Sequence, residues 1–197
     1  SSLLIAVSGG IDSVAILFAI KQLQRFGYSC SLRVLHINHG TRAGQVDEER
    51  FVKELCESLG IPCTSKKLEH LNPNKNFEYN ARLGRYDELY KFANDDEKIV
   101  LAHHIDDSFE WSMLQTLRSS GVEGLVGIPV VNDKVIRPFM CVTKDQIIRF
   151  AKAFDLPFIE DPTNEQIKYE RNYIRHEVVP AFSCLLYTSD AADDSLR

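Results

Sequence analysis

The 197 residues, 44% hydrophobic and 26% charged, have the length and balance of one ordinary globular domain with a complete core. A formal net charge of −5 speaks against a protein that coats nucleic acid nonspecifically, while leaving room for a local basic face that binds RNA. Five scattered cysteines with no C-x-x-C pair speak against a disulfide framework, a zinc site or a thioredoxin-like centre.

Leu3 to Val7 reads as a first strand, entered without a basic segment or a cleavage site, and no apolar run approaches the roughly 18 residues of a membrane span. The expectation is a cytoplasmic protein with no membrane partner. Asp12 to Phe26 follows as a helix with Val14, Leu17, Phe18 and Leu23 on its buried side, and Gly27 is placed to end it in a left-handed turn. Leu32 to Ile37 is a second strand. From Val46 to Leu59 the apolar positions Phe51, Val52, Leu55, Cys56 and Leu59 recur at helical spacing, Asp47, Glu48 and Glu49 suit the helix start, and Gly60 and Pro62 stop it.

Cys63 to Leu68 is a third strand, and a loop rich in Asn and Pro over 72–76 leads to a helix from about Glu78 to Ala93. Lys98 to Ala102 is a fourth strand and Asp106 to Arg118 a helix; Gly121, Gly124 and Gly127 then break the pattern before a hairpin turning near Asn132 and Asp133. Thr143 and Gln146 form a capping box for a helix whose apolar side is Ile147, Ile148, Ala151 and Phe154. After a turn at Asp161-Pro162-Thr163-Asn164, a last helix runs from about Glu170 toward Val179. The alternation predicts an α/β fold: an open parallel sheet with helices on both faces over 1–140, and a small helical extension over 141–183. Positions 184–197 resemble a translated transposase end and sequencing adapter, so they are expected to be a non-native tail on a protein whose natural chain is longer.

The strongest chemical signal is Ser8-Gly9-Gly10-Ile11-Asp12-Ser13 between a strand and a helix. Two glycines let the backbone turn tightly and bring its N–H groups to an anion, and the helix start adds favourable dipole charge. The pattern is neither a Walker loop nor a dinucleotide fingerprint. It resembles the PP-loop of the ATP pyrophosphatases, which implies ATP binding at Ser8, Gly9, Gly10, Ile11, Asp12 and Ser13. Asp12 beside phosphates needs neutralising, so a Mg2+ ion bridging it to ATP is expected.

Two further motifs follow the carboxyl ends of strands, where open α/β sheets place ligands: His36-Ile37-Asn38-His39-Gly40-Thr41-Arg42 and Ala102-His103-His104-Ile105-Asp106-Asp107-Ser108-Phe109-Glu110. With Glu78-Tyr79-Asn80-Ala81-Arg82-Leu83-Gly84-Arg85-Tyr86, Leu117-Arg118-Ser119-Ser120-Gly121, Arg137-Pro138 and Tyr169-Glu170-Arg171-Asn172-Tyr173-Ile174-Arg175, they resemble in order the tRNA(Ile)-lysidine synthase family. Thr41, Trp111 and Ser119 depart from the family's usual Leu, Thr and Gly, and none of these changes removes an acid, base or phosphate ligand.

The resemblance implies that ATP adenylates the wobble cytidine of tRNA(Ile) with a CAU anticodon and that free L-lysine then displaces AMP. It assigns catalysis to Asp12, Arg82, Asp107 and Glu110, the last two as a base or as holders of the lysine ammonium. His36, Asn38, His39, Arg42, His103, Arg118, Arg171 and Arg175 are the expected contacts to substrate or tRNA. Asp106 is expected to cap the start of its own helix. Oligomeric state is left open, with a homodimer among the options. Alternatives are a PP-loop tRNA sulfur transferase, which the lack of paired cysteines disfavours, and a non-catalytic adenine-nucleotide sensor.

Overall fold

The computed structural model of the chain describes residues 2–38, 45–68, 77–118, 126–160 and 170–182. Expectations for His39, Arg42, the 72–76 loop, Gly121, Gly124, the 161–164 turn and the 184–197 tail lie outside those residues. The chain runs β1 (Ser2–Ala6), α1 (Ile11–Arg25), β2 (Ser31–Asn38), α2 (Gln45–Ser58), β3 (Cys63–Lys67), α3 (Phe77–Phe92), β4 (Glu97–Val100) and α4 (Ile105–Leu117). A hairpin of β5 (Val131–Asn132) and β6 (Val135–Ile136), a 3-10 turn (Pro138–Cys141), α5 (Lys144–Ala153) and α6 (Glu170–Tyr173) complete it. α6 continues directly into a π turn over Ile174–Val178.

The six strands form one sheet in the order β3-β2-β1-β4-β6-β5, parallel except for the β5–β6 pair. Strand alternation sends successive side chains to opposite faces. Ile5, Val7, Val34 and Val100 pack with Ile16, Leu17, Val52 and Cys56 of α1 and α2 on one face. Leu4, Leu35, Ile37, Ile99 and Leu101 pack with Leu89 of α3 on the other. Each such fully buried Leu or Ile contributes about 2 kcal/mol relative to exposure. A third cluster joins Val14 and Ala15 of α1 to Ile147 and Ala151 of α5 and to Leu156.

The helix ends follow their residues. Gly27 and Gly60 take left-handed φ values of 92° and 65° after α1 and α2, a conformation that costs a side-chain-bearing residue and not glycine. Thr143 Oγ1 accepts from the Gln146 amide at 3.2 Å and Gln146 Oε1 from the Thr143 amide at 2.9 Å, which is the expected capping box. Two positions assigned to buried faces are not buried: Leu23 is 47% exposed and Phe154 50%. Both sit in the last turn or at the end of their helix, where the apolar stripe has rotated past its partner. Phe154 still lies against Phe18, ring centroids 5.4 Å apart.

Strand order reverses beside β1, with β2 on one side and β4 on the other, so the carboxyl ends of β1 and β4 open a crevice at a topological switch point. The segments after those two strands build the site.

Candidate functional site

The turn after β1 is held by its own serines. Ser13 is buried, and its hydroxyl donates to the Gly10 carbonyl at 2.9 Å while accepting from the Ser8 amide at 3.2 Å. Ser13 therefore shapes the loop from behind, with its hydroxyl held by the loop backbone. Ser8 is exposed, with its Oγ 3.2 Å from that of Ser13. Gly9 has φ 98° and its carbonyl accepts from the Ile159 amide at 3.0 Å, so the segment after α5 braces the back of the turn. α1 starts from Gly10 with no side-chain cap, which leaves the amides of its first turn, Ile11 and Asp12 among them, to an anion.

Asp12, with a third of its side chain exposed, pairs with Lys144, whose Nζ lies 2.5 Å from Oδ1. Asp106, from the start of α4, does not cap its own helix. Its Oδ2 accepts from the Lys144 amide at 2.5 Å and so caps α5 instead. Hydrogen bonding to the neighbouring His104, outweighing burial, holds the Asp106 carboxyl below its ordinary range. His104 is 2% exposed and fills the space between the acids: Nε2 is 4.0 Å from Asp12 Oδ1 and 3.4 Å from Asp107 Oδ2, and Nδ1 is 3.3 Å from Asp106 Oδ2. Neither Lys144 nor His104 was singled out from sequence. A signal for Lys144 was present, since a cation in the first turn of a helix opposes the helix dipole and needs an anion brought by another element.

Beyond His104 lie Asp107 and Glu110, one turn apart on the inner face of α4. Glu110 is 0% exposed, and both of its oxygens are taken: Oε1 by Arg175 Nε at 2.6 Å, Oε2 by Arg171 Nε at 2.7 Å and Arg175 Nη2 at 3.0 Å. Asp107 accepts from Arg171 Nη2 at 2.6 Å and from the His104 amide at 3.0 Å. Burial pushes the Asp107 carboxyl up, but His104 and Arg171 outweigh it and hold it below the ordinary carboxylate range. In this arrangement the oxygens of both acids are engaged, those of Glu110 by Arg171 and Arg175 and those of Asp107 by Arg171 and the His104 amide. Sequence alone assigns the acids to a base or ammonium-holding role and Arg171 and Arg175 to substrate or tRNA; the fold pairs one set with the other. α6 and its π turn carry both arginines onto the same carboxylate.

The remaining expected residues are more dispersed. His36 is 2% exposed with Nδ1 on the Val7 carbonyl at 2.9 Å, so it ties β2 to the strand end before the phosphate loop. Asn38, at the end of β2, reaches Glu49 of α2. Burial, with the charges of Arg137 and Arg171 nearby, lowers the His103 imidazole to about 4. Arg82 is exposed, its guanidinium 5.8 Å from the centre of the Tyr86 ring, and Arg118 is exposed at the end of α4. Arg137, 3% exposed, locks the region beneath by donating to the Pro129 carbonyl at 2.8 Å and the Tyr86 hydroxyl at 3.0 Å.

For a divalent cation the site offers one carboxylate, Asp12, at the mouth of the loop. Among the described residues no group of three or more His, Cys, Asp or Glu side chains is arranged to hold a metal alone. That fits magnesium, which keeps several waters and binds through one or two carboxylates together with substrate phosphates. No helix of the described residues is long and apolar enough to cross a membrane.

Residues 1–182 match the PP-loop domain family. Curated tRNA(Ile)-lysidine synthases are similar over nearly the whole chain. That of Coxiella burnetii is 35% identical over 185 residues, covering 91% of this chain and 41% of the relative. That of Legionella pneumophila (strain Paris) is 34% identical over 182 residues, covering 90% and 42%. That of Pseudothermotoga lettingae is 31% identical over 195 residues, covering 92% and 42%. The chain thus spans about two fifths of the length of these relatives. Among solved structures, the U34-tRNA thiolase NcsA from Methanococcus maripaludis shares the fold, with a TM-score of 0.69 at 16% identity over 94% of this chain and 72% of that one.

Proposed function

Since the chain belongs to the PP-loop domain family, whose loop binds ATP, we propose that it is the catalytic part of an enzyme that joins free lysine to the wobble cytidine of tRNA(Ile), forming lysidine. The observation that carries this reading is the junction at His104, which touches the phosphate-loop acid Asp12 on one side and the buried acid Asp107 on the other. One ligand site made for phosphates and one made of carboxylates and guanidiniums thereby share a wall. The similarity to lysidine synthases supports the choice of substrates.

In the first step the cytidine O2 attacks the α-phosphorus of ATP, and the bond to the bridging oxygen breaks to release pyrophosphate. In the second, the lysine ε-ammonium gives up a proton to solvent, its nitrogen attacks C2, the C2–O bond breaks, and AMP leaves. Ser8 and the amides of Gly9, Gly10 and Ile11 hold the departing pyrophosphate, whose charge they stabilise without reorganising. Asp12 holds Mg2+, which when bound neutralises phosphate charge and so eases departure of the leaving group. Asp107 and Glu110 hold the lysine ammonium. Arg171, the more exposed of their two guanidinium partners at 44% against 32%, is the group that yields its place to it. The exposed Arg82 and Arg118 serve the tRNA backbone and the phosphates, and His39 and Arg42 are assigned to tRNA from their motif alone. The setting is cytoplasmic.

The test follows labelled lysine into tRNA alongside AMP and pyrophosphate release, using a protein of the relatives' full length, with Asp12→Ala as the inactive comparison. Lysine transfer that requires ATP and a wobble cytidine supports the reading. If the tRNA gains sulfur and no lysine, the chain is a sulfur transferase; if ATP binds and no AMP forms, it is a nucleotide sensor.

A further inference from the structure

We infer that Lys144, which pairs with Asp12, is a phosphate-contacting residue of the loop and reaches the pyrophosphate part of ATP when a cation claims that carboxylate. This rests on the ATP-binding reading above and adds to it the residue that neutralises the leaving group from the protein side.

Three elements converge on this lysine. Its amide is fixed by Asp106 Oδ2 of α4 at 2.5 Å, its helix is separately capped by the Thr143 and Gln146 box, and its ammonium crosses to Asp12 Oδ1 of α1 at 2.5 Å. The pairing bridges 132 residues of sequence. A helix whose start is already capped gains nothing from a cation in its first turn, where the dipole repels it. The position of Lys144 is therefore explained by what it faces. Both side chains stay about one third exposed, 35% for Lys144 and 33% for Asp12, so the pair sits at the mouth of the loop and not in the core.

An exposed ion pair of this kind contributes little stability. Phosphate binding at the loop would add several negative charges beside Asp12, so that carboxylate must gain a stronger cation than a shared ammonium. Once Asp12 is occupied, the ammonium loses its partner, while the backbone anchor keeps the root of the side chain beside the loop. The nearby cation Arg175 is directed to Glu110 through two hydrogen bonds, whereas Lys144 is the cation hydrogen-bonded to Asp12 itself.

The experiment uses the 197-residue chain with Lys144→Met and Lys144→Arg, checked for native folding by far-UV dichroism and thermal unfolding. Calorimetry measures the affinity for ATP with magnesium, pyrophosphate with magnesium, and AMP. The methionine variant is expected to lose about tenfold or more in affinity for the first two, as befits a lost charge-assisted contact. AMP binding should be unchanged, and arginine should restore most of the loss. An unchanged or increased affinity for ATP with magnesium overturns the proposal, since freeing Asp12 would then help the metal and Lys144 would be only its clasp. An equal loss for AMP overturns it as well, by placing the effect in general loop disorder. Failure of the wild-type chain to bind ATP or pyrophosphate is a separate result, which removes the ATP reading itself.

Discussion

Arg175→Met should destabilise the chain more than its position near the end of the sequence suggests. Glu110 is 0% exposed and receives three guanidinium hydrogen bonds, two of them from Arg175. Removing one partner of a buried ion pair costs roughly 3–5 kcal/mol. Arg171 remains on Oε2, and the Arg175 side chain is 32% exposed, so solvent screens part of the interaction. Those two facts reduce the expected loss to about 2 kcal/mol, or roughly 4–8 °C in Tm for a domain of this size. Thermal and urea unfolding at neutral pH measures it. The double variant Arg175→Met with Glu110→Gln should recover at least about half of the loss, because it removes the stranded charge. A single variant as stable as wild type, or a double variant no better than the single, would refute the reasoning.

Acid stability should report the same cluster: the Asp107 carboxyl is depressed in the folded chain, so its contribution is complete above the ordinary value of about 4 and disappears as pH falls through the lower folded one. Arg171→Met is expected to flatten the stability curve in that acid window. His103, lowered by burial to about 4, favours the neutral imidazole, so stability should fall as pH drops from about 6.5 to about 4, and His103→Gln should remove that part of the slope in unfolding curves. Gly9→Ala should cost about 1–2 kcal/mol, because φ is 98° there while the added Cβ would meet Phe51 and Val52 at an ordinary 3.5 Å; nucleotide affinity should fall with it, and equal thermal stability would show that the strain is absorbed. Arg33→Met should destabilise by about 2 kcal/mol, since it leaves Glu97, whose side chain is 0% exposed, with only the Asn94 amide and the Ser2 hydroxyl; a Tm shift under about 2 °C would contradict this.

The order of strands and helices was readable because each element carries a local pattern: alternating apolar residues in Leu3 to Val7, the 46–59 helix periodicity, and stop signals at Gly27 and Gly60. The phosphate loop was readable for the same reason, as six consecutive residues state its geometry. The charge pairing was not. Asp107 and Glu110 look identical whether they face an ammonium ligand or the arginines of α6, and only the return of the chain over 64 and 65 residues decides between them. His36 illustrates a second limit. Its place at a strand end suggested a ligand contact, yet the tight β1–β2 pairing turns its ring inward onto Val7. Leu23 and Phe154 show a third, since helical periodicity names a face without saying where the neighbouring helix stops.

The hydrogen bond from the Ile159 amide to the Gly9 carbonyl bears on the order in which this site comes into being. The phosphate turn precedes in the chain both the segment that braces it and the lysine that meets its acid, and these two are made only after the whole sheet. A nascent chain stopped before α5 would hold the nucleotide motif complete in sequence and incomplete in space. Nucleotide capture is therefore expected late in synthesis, after the polypeptide has closed on itself, so that ATP binding reports a finished fold.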